Sequence, residues 1–281
     1  MQSREVISER EFSYGRSDFE AIRRKLNQLT GIRLADSKDS MVYSRLVRRI
    51  RALKLSGFAQ YQAYLDQHPS EEELFINALT TNLTSFFREP HHFDVLAQYL
   101  EKNPRIKTIW CAASSTGEEP YSIAMVVAEV FGRFDVPIKI IASDIDSQVL
   151  QKARAGVYEI TKINTLSEER CRQFFFRGKG KQQGFVKVVP ELQRMVDFRQ
   201  LNLLDNNWSI KAPVDIIFCR NVMIYFDKRT QLMLLERMIK MLPTEGLYIA
   251  GHSENFSHAT DLVRSAGNTT YKPNLQGRKH D

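Results

Sequence analysis

The sequence reads as an α/β protein: an open parallel sheet with a small antiparallel β insertion, preceded by a small all-α domain. Three observations predict this. Roughly the first 80 residues carry short helical periodicities; from about residue 104, apolar runs of strand length alternate with helical stretches; and between the second and third of those strands lies more chain than one crossover helix needs. At 43% hydrophobic and 26% charged residues, the chain has the mixture of a globular protein and not of a disordered, collagen-like or coiled-coil one. No apolar run approaches the ~18 residues that span a bilayer. The opening Met1-Gln2-Ser3-Arg4-Glu5 is charged with no apolar stretch behind it, so a secretory signal is not expected. Cys111, Cys171 and Cys219 lie far apart without paired ligand spacing, which argues for a reducing cytoplasm and against disulfides or a zinc site.

In the all-α part, Ser17-Asp18-Phe19-Glu20 has the form of a capping box. Phe19, Ile22, Leu26 and Leu29 follow at helical spacing, and Gly31 ends the run. A second helix is expected from Met41 to Leu53, with Val42, Leu46, Ile50 and Leu53 on one face and Arg45, Arg48, Arg49 and Arg51 on the opposite arc. Phe58, Tyr61, Tyr64 and Leu65 mark a third, and Pro69 with Ser70-Glu71-Glu72-Glu73 opens a fourth.

The strands follow. Ile106–Cys111 is the first, then a loop of small residues and a helix from Glu119 to Phe131. Ile138–Ser143, Val196–Leu201, Val214–Cys219 and Leu247–Ala250 are the next four, with a helix over Lys228–Leu242; Thr269-Thr270-Tyr271 adds an edge strand. The excess chain, about 174–194, contains Arg177-Gly178-Lys179-Gly180 and alternating apolar residues after Gly184, which predicts the antiparallel insertion. The domains are expected at 1–80, with 81–90 as a linker and 91–281 holding the sheet.

Ligands of open parallel sheets bind beyond the carboxyl ends of the strands. The loop after strand one, Ala112 to Tyr121, has one glycine, Gly117, and two glutamates, Glu118 and Glu119. A dinucleotide pyrophosphate would want amides and no added negative charge there, so NAD fits poorly. A cationic ligand fits better; S-adenosylmethionine, with its sulfonium and ammonium, suits the pattern. Asp144 and Asp146 after strand two are placed to take ribose hydroxyls, although Asp146 reads equally as a helix cap. Asn202 after strand three could read an adenine edge; Arg220, Asn221 and Tyr225 follow strand four, where Tyr225 could also be core packing. Single loop motifs leave the ligand open.

A wider set of stretches narrows it. Asn77-Ala78-Leu79-Thr80-Thr81-Asn82-Leu83-Thr84, Phe86-Phe87-Arg88-Glu89, Ser115-Thr116-Gly117-Glu118-Glu119-Pro120-Tyr121-Ser122, Ala142-Ser143-Asp144-Ile145-Asp146, Asn202-Leu203-Leu204, Phe218 to Phe226 and Gly251-His252-Ser253-Glu254 occur in this order across both domains. In these the chain resembles the CheR-type chemotaxis receptor methyltransferases. The resemblance implies a Rossmann-like S-adenosylmethionine-dependent domain that forms glutamate methyl esters on chemoreceptors and releases S-adenosylhomocysteine. It implies cofactor contacts from Asn82, Thr84, Arg88, Glu119, Asp144, Asn202, Leu203, Arg220 and Asn221. Arg88 would pair with the cofactor carboxylate and Tyr225 would border the sulfonium and methyl. No metal is implied.

The formal charge of +7 is concentrated. Residues 21–60 hold ten basic and two acidic side chains, and Arg170 to Lys187 holds six basic and none acidic. Because no acids alternate with Arg45, Arg48, Arg49 and Arg51, they read as a docking face for a glutamate-bearing helical partner, against the commoner reading of a solvated face. The resemblance makes that partner the cytoplasmic helical bundle of a chemoreceptor. It also offers the β insertion as a seat for a receptor tethering peptide, with a plain hairpin as the equal alternative; Lys187 stands where arginine is expected and loses bidentate pairing. Cys219 reads as a buried apolar residue, and His91, His92 and His252 as structural or surface. A nucleic-acid methyltransferase is the rival, but a base-amino enzyme should carry Asn/Asp-Pro-Pro-aromatic after strand four, where this chain has Arg220-Asn221-Val222-Met223. A non-catalytic adenosylmethionine-responsive adaptor is the other. A cytoplasmic monomer without nucleic acid or membrane insertion is expected.

Overall fold

The computed structural model describes residues 10–274. The chain divides into two compact units, Met1–Thr80 and Thr81–Asp281. The first is built from α1 (Arg16–Thr30), α2 (Asp39–Ala52), α3 (Phe58–Gln67) and α4 (Pro69–Leu79). Phe19, Ile22, Leu26, Val42, Leu46, Ile50, Phe58, Tyr61, Leu65 and Phe75 close its core. Burying such faces stabilises each side chain by roughly 1.5–3 kcal/mol.

The helix starts depart from the expected caps. α1 begins at Arg16, so it is Asp18 that reaches back to the backbone N–H of Gly15 at 2.9 Å. Glu20 instead pairs with Arg16 and Arg23 along the helix. In α4, Pro69 takes the first position, where its missing N–H costs nothing. Ser70 is therefore inside the first turn and does not cap the helix, and Glu71 beside it is buried.

The second unit starts with α5 (His91–Lys102) and continues with β1 (Thr108–Ala112), α6 (Glu118–Phe131), β2 (Lys139–Asp144), α7 (Ser147–Ala155), β3 (Val157–Glu159), α8 (Glu168–Phe174), β4 (Phe175–Arg177), β5 (Phe185–Val188), α9 (Pro190–Arg194), β6 (Val196–Gln200), β7 (Ile216–Cys219), α10 (Lys228–Met241), β8 (Leu247–Ala250), β9 (Val263–Gly267) and β10 (Thr270–Pro273). The main sheet has the order β6-β2-β1-β7-β8-β10-β9. Its first five strands are parallel and the last two antiparallel. The sheet is thus mixed, and the strand at Thr270 is not the edge: β9 lies outside it. Both faces are covered, with Ile109, Cys111, Ile140, Ile216, Phe218 and Ile249 on one and Trp110, Ile217 and Tyr248 on the other, all buried. Two-sided burial is why these strands read as continuous apolar runs.

The antiparallel insertion is a three-stranded sheet, β3-β5-β4. It reaches further back than 174–194, because Val157–Glu159 pairs with Phe185–Lys187. Three residues are too short to show an alternating pattern, so this strand has no signature of its own in the chain.

Candidate functional site

Strand order places the site. From β1 the chain moves through α6 to β2 on one side, whereas β7 enters on the other side of β1 and continues through α10 to β8. The carboxyl ends of β1 and β7 therefore meet where the crossovers diverge, the position at which open sheets form a crevice. Glu119 opens α6 just beyond β1, and Arg220 follows β7.

These two residues form a buried ion pair. Arg220 Nη1 is 2.6 Å from Glu119 Oε2, and Arg220 Nη2 is 3.1 Å from Glu89 Oε2. The Arg220 side chain is fully buried. Burial works against its charge, but the two carboxylates outweigh that and raise its pKa. Glu119 also accepts from Cys111 Sγ at 3.2 Å. Burial likewise opposes the ionised form of Glu89; the charge of Arg220 and bonds from Asn221 Nδ2 and the His252 N–H prevail and lower its pKa. Arg220 further donates to the backbone carbonyl of Arg88.

A second group sits at the end of β2. Asp144 is 7% exposed; its Oδ2 accepts from the Ser115 N–H at 2.8 Å and its Oδ1 from the Asp146 N–H at 3.0 Å. Burial pushes its pKa up to about 6 despite those amides. Asp146 caps α7, accepting from Gln148 and Val149 N–H groups, and its Oδ2 accepts from Asn82 Nδ2 at 2.9 Å. The carbonyl of Asn82 accepts from Ser115 Oγ. The stretch just before α5 is thereby stitched onto the loops after β1 and β2. Gly117 is required in that loop: its φ is +97°, and a Cβ would lie 2.8 Å from Ala153 Cβ and 2.9 Å from the Tyr158 hydroxyl.

The remaining expected residues are dispersed. Arg88 is half-buried and donates to the Leu83 carbonyl, with no carboxylate in ion-pair range among the described residues. Thr84 is half-buried. After β6, Asn202 Oδ1 accepts from the Leu204 N–H, and the buried Leu203 gives its carbonyl to Trp208 Nε1 and Arg237. Asn221 holds a φ of +59°. Tyr225 ends a 3-10 turn, Met223–Tyr225, and is half-exposed, so it is not core packing. Cys219 is fully buried, with its thiol pKa pushed up by burial.

Three of the four arginines expected at the docking face have partners within the helical unit. Arg49 forks onto Glu71 at 2.8 and 2.7 Å, Arg45 donates to the carbonyls of Ala78 and Thr80, and Arg51 pairs with Glu11. Their partners come from other segments, so the absence of acids along the helix did not reveal them. Arg48 alone of the four is exposed with no ion pair among the described residues. In the other basic stretch, Arg170 forks onto Glu129 and covers the Phe87 ring at 3.9 Å, and Arg172 pairs with Glu168. Arg177, Lys179, Lys181 and Lys187 have no such partner among the described residues.

Glu89, His91 and His92 lie close enough to share a metal ion. The charge of Arg220 at 3.1 Å from Glu89 opposes a dication there. His92 Nε2 is instead bonded to Asn268 and Thr269, and burial with Arg220 lowers its pKa to about 4. Glu89, absent from the sequence-derived site, is the carboxylate that links Arg220, Asn221 and His252. Its only sign was its place beside Arg88 in the linker.

These residues suit S-adenosylmethionine: a buried acid at a strand end and, among the described residues, an arginine free of acids and, in the loop after β1, a buried Ser114 Oγ with no hydrogen-bond partner. Comparison with known proteins bears on the same point. The family described as CheR methyltransferase, SAM binding domain, matches residues 82–272, and CheR methyltransferase, all-alpha domain, matches residues 17–80. Chemotaxis protein methyltransferase 2 of Pseudomonas aeruginosa is 55% identical over 271 residues, covering 95% of this chain and 97% of that one. Chemotaxis protein methyltransferases of Salmonella typhimurium and Escherichia coli are each 48% identical over 255 residues, covering 90% of this chain and 88% and 89% of theirs.

Proposed function

The chain belongs to the CheR methyltransferase family, and from that premise we propose that it methylates glutamate side chains of chemoreceptors to form methyl esters. It is a methyltransferase that uses S-adenosylmethionine. The cofactor supplies an electrophilic methyl group, and S-adenosylhomocysteine remains when that group has left.

The rest is done by side chains. Asp144 would hold the ribose hydroxyls, Asn202 and Leu203 the adenine, and Arg88 the carboxylate. Glu119 would hold the ammonium, its orientation set by Arg220. Asn82, Thr84 and Asn221 would line the pocket, and Tyr225 would border the methyl. A glutamate with an ordinary pKa near ~4.3 is already ionised at neutral pH, so no general base is needed. What the site must supply is alignment of the nucleophilic oxygen with the methyl carbon. The observation that carries this reading is the Asp144 carboxylate, buried at the end of β2 and kept there by two loop amides.

The receptor's helical bundle is the partner, with Arg48 the arginine of α2 left open to it. A tethering peptide at the edge of β3 or β4 would add a strand there, with Arg177 and Lys187 near it. The protein is read as a cytoplasmic monomer; no helix among the described residues is long and apolar enough to cross a membrane. The linker reading of 81–90 belongs here too, because Asn82 and Glu89 tie that stretch to the site. The test is transfer of labelled methyl to a chemoreceptor cytoplasmic fragment. Label released as methanol by mild base is expected; base-stable label, or transfer only to nucleic acid, would refute the ester.

A further inference from the structure

We infer that Glu254 is a positioning residue for methyl transfer, acting through the turn that carries Asn221 and Tyr225; this rests on the function proposed above. The Glu254 carboxylate is 4% exposed. Its Oε2 accepts the N–H groups of Asn221 at 2.9 Å and Gly251 at 2.7 Å, and its Oε1 that of Met223 at 2.7 Å. No lysine or arginine pairs with it among the described residues. An unpaired buried carboxylate is costly, and backbone amides from two strand ends are what make this one tolerable. The loop after β7 and the loop after β8 are thereby tied at one point.

The turn so gathered does not hold itself. Asn221 keeps a φ of +59°, left-handed backbone that asparagine visits more readily than other non-glycine residues and that is fixed here by bonds to both its amide and its side chain. Glu254 takes its amide while Glu89 takes its side chain. The approach is possible only because residue 251 is glycine: a Cβ there would lie 2.5 Å from Asn221 Nδ2 and 2.9 Å from Glu254 Oε2. Past Met223 the turn opens outward, with Ile224 49% exposed and Tyr225 half-exposed. The carboxylate therefore sets the position of the residues that meet the incoming side chain. Among the described residues its side-chain hydrogen bonds go to the loops after β7 and β8.

This separates catalysis from cofactor binding. Glu254→Gln keeps the size but sets an NH2 group against backbone donors. Its kcat for methylation of a receptor fragment should fall about 10- to 100-fold, the effect of a small misplacement on alignment. The Kd for S-adenosylhomocysteine should rise by no more than about threefold, because Glu89 still holds the Asn221 side chain that lines the cofactor pocket. Glu254→Asp, which keeps the charge and lacks one methylene, should fall between, and it carries the same test if Glu254→Gln is recovered unfolded. A wild-type kcat in Glu254→Gln overturns the inference, as does a parallel loss of kcat and cofactor affinity, the mark of a merely structural staple. If the wild type binds S-adenosylhomocysteine yet never methylates receptor, both readings fall; if only the variant behaves as wild type, this one falls alone.

Discussion

Each unit of the molecule buries a glutamate against an arginine, and the two pairs differ in what surrounds them. In the helical unit, Glu71 accepts both arms of Arg49 and the Tyr61 hydroxyl, which satisfies it completely and ties α2 to α4 and α3. In the sheet unit, Arg220 is shared between Glu119 and Glu89, and among the described residues its Nε has no partner and Asp144, in the same strand-end layer, has no cation of its own. The first pair is architecture. The second is a set of charges placed beyond strand ends with bonding capacity to spare, which is how a binding site differs from a staple.

Removing Arg220 should have the largest effect. Arg220→Ala leaves two carboxylates buried, and should cost about 3–5 kcal/mol of stability in urea denaturation together with most cofactor affinity. A loss of affinity without destabilisation would break the contrast. Next is Asp144. Its native pKa of about 6 lies above the ordinary 3.8, so the native state binds more protons than the unfolded state between those values. The stability it contributes is therefore present below pH ~4 and lost as pH rises through 6. The advantage of wild type over Asp144→Asn should shrink by about 3 kcal/mol from pH 4 to pH 7; a constant difference would contradict the buried charge. His92, with its pKa lowered to about 4, acts oppositely in both proteins and cancels in that comparison.

The helical unit sharpens the contrast by smaller effects. Arg49→Ala should cost about 2 kcal/mol, less than Arg220→Ala because Arg49 is 24% exposed, and should leave the S-adenosylhomocysteine Kd unchanged. Arg48→Ala should change stability by less than about 0.5 kcal/mol. Its signature is a KM for receptor raised about threefold at constant kcat; no change would remove Arg48 from the docking surface.

What could be read in the sequence followed local rules. The parallel strands announced themselves because two-sided burial demands unbroken apolar runs, and Asp144, Glu119 and Arg220 stood out by following them. Phe93, Leu96 and Leu100 lie at helical spacing and are the local sign of α5. Other features depend on partners distant in the chain. Glu71 has no local sign of burial because Arg49 and Tyr61 come from other helices, the partners of Arg45 lie where α4 ends, and Glu89 gains its role only where β7 delivers Arg220. β9 and β3 lacked any alternating apolar signal, since four of five residues in β9 and two of three in β3 are exposed.

The most direct measurement is calorimetric titration of S-adenosylhomocysteine into wild type and Asp144→Ala across pH 5 to 8. Wild type should bind one equivalent, with affinity falling about tenfold per pH unit below 6 as Asp144 takes up its proton. Asp144→Ala should bind at least about 100-fold more weakly at pH 7.5, the worth of two charged hydrogen bonds to ribose. No binding by folded wild type, or equal binding by the variant, would contradict the account.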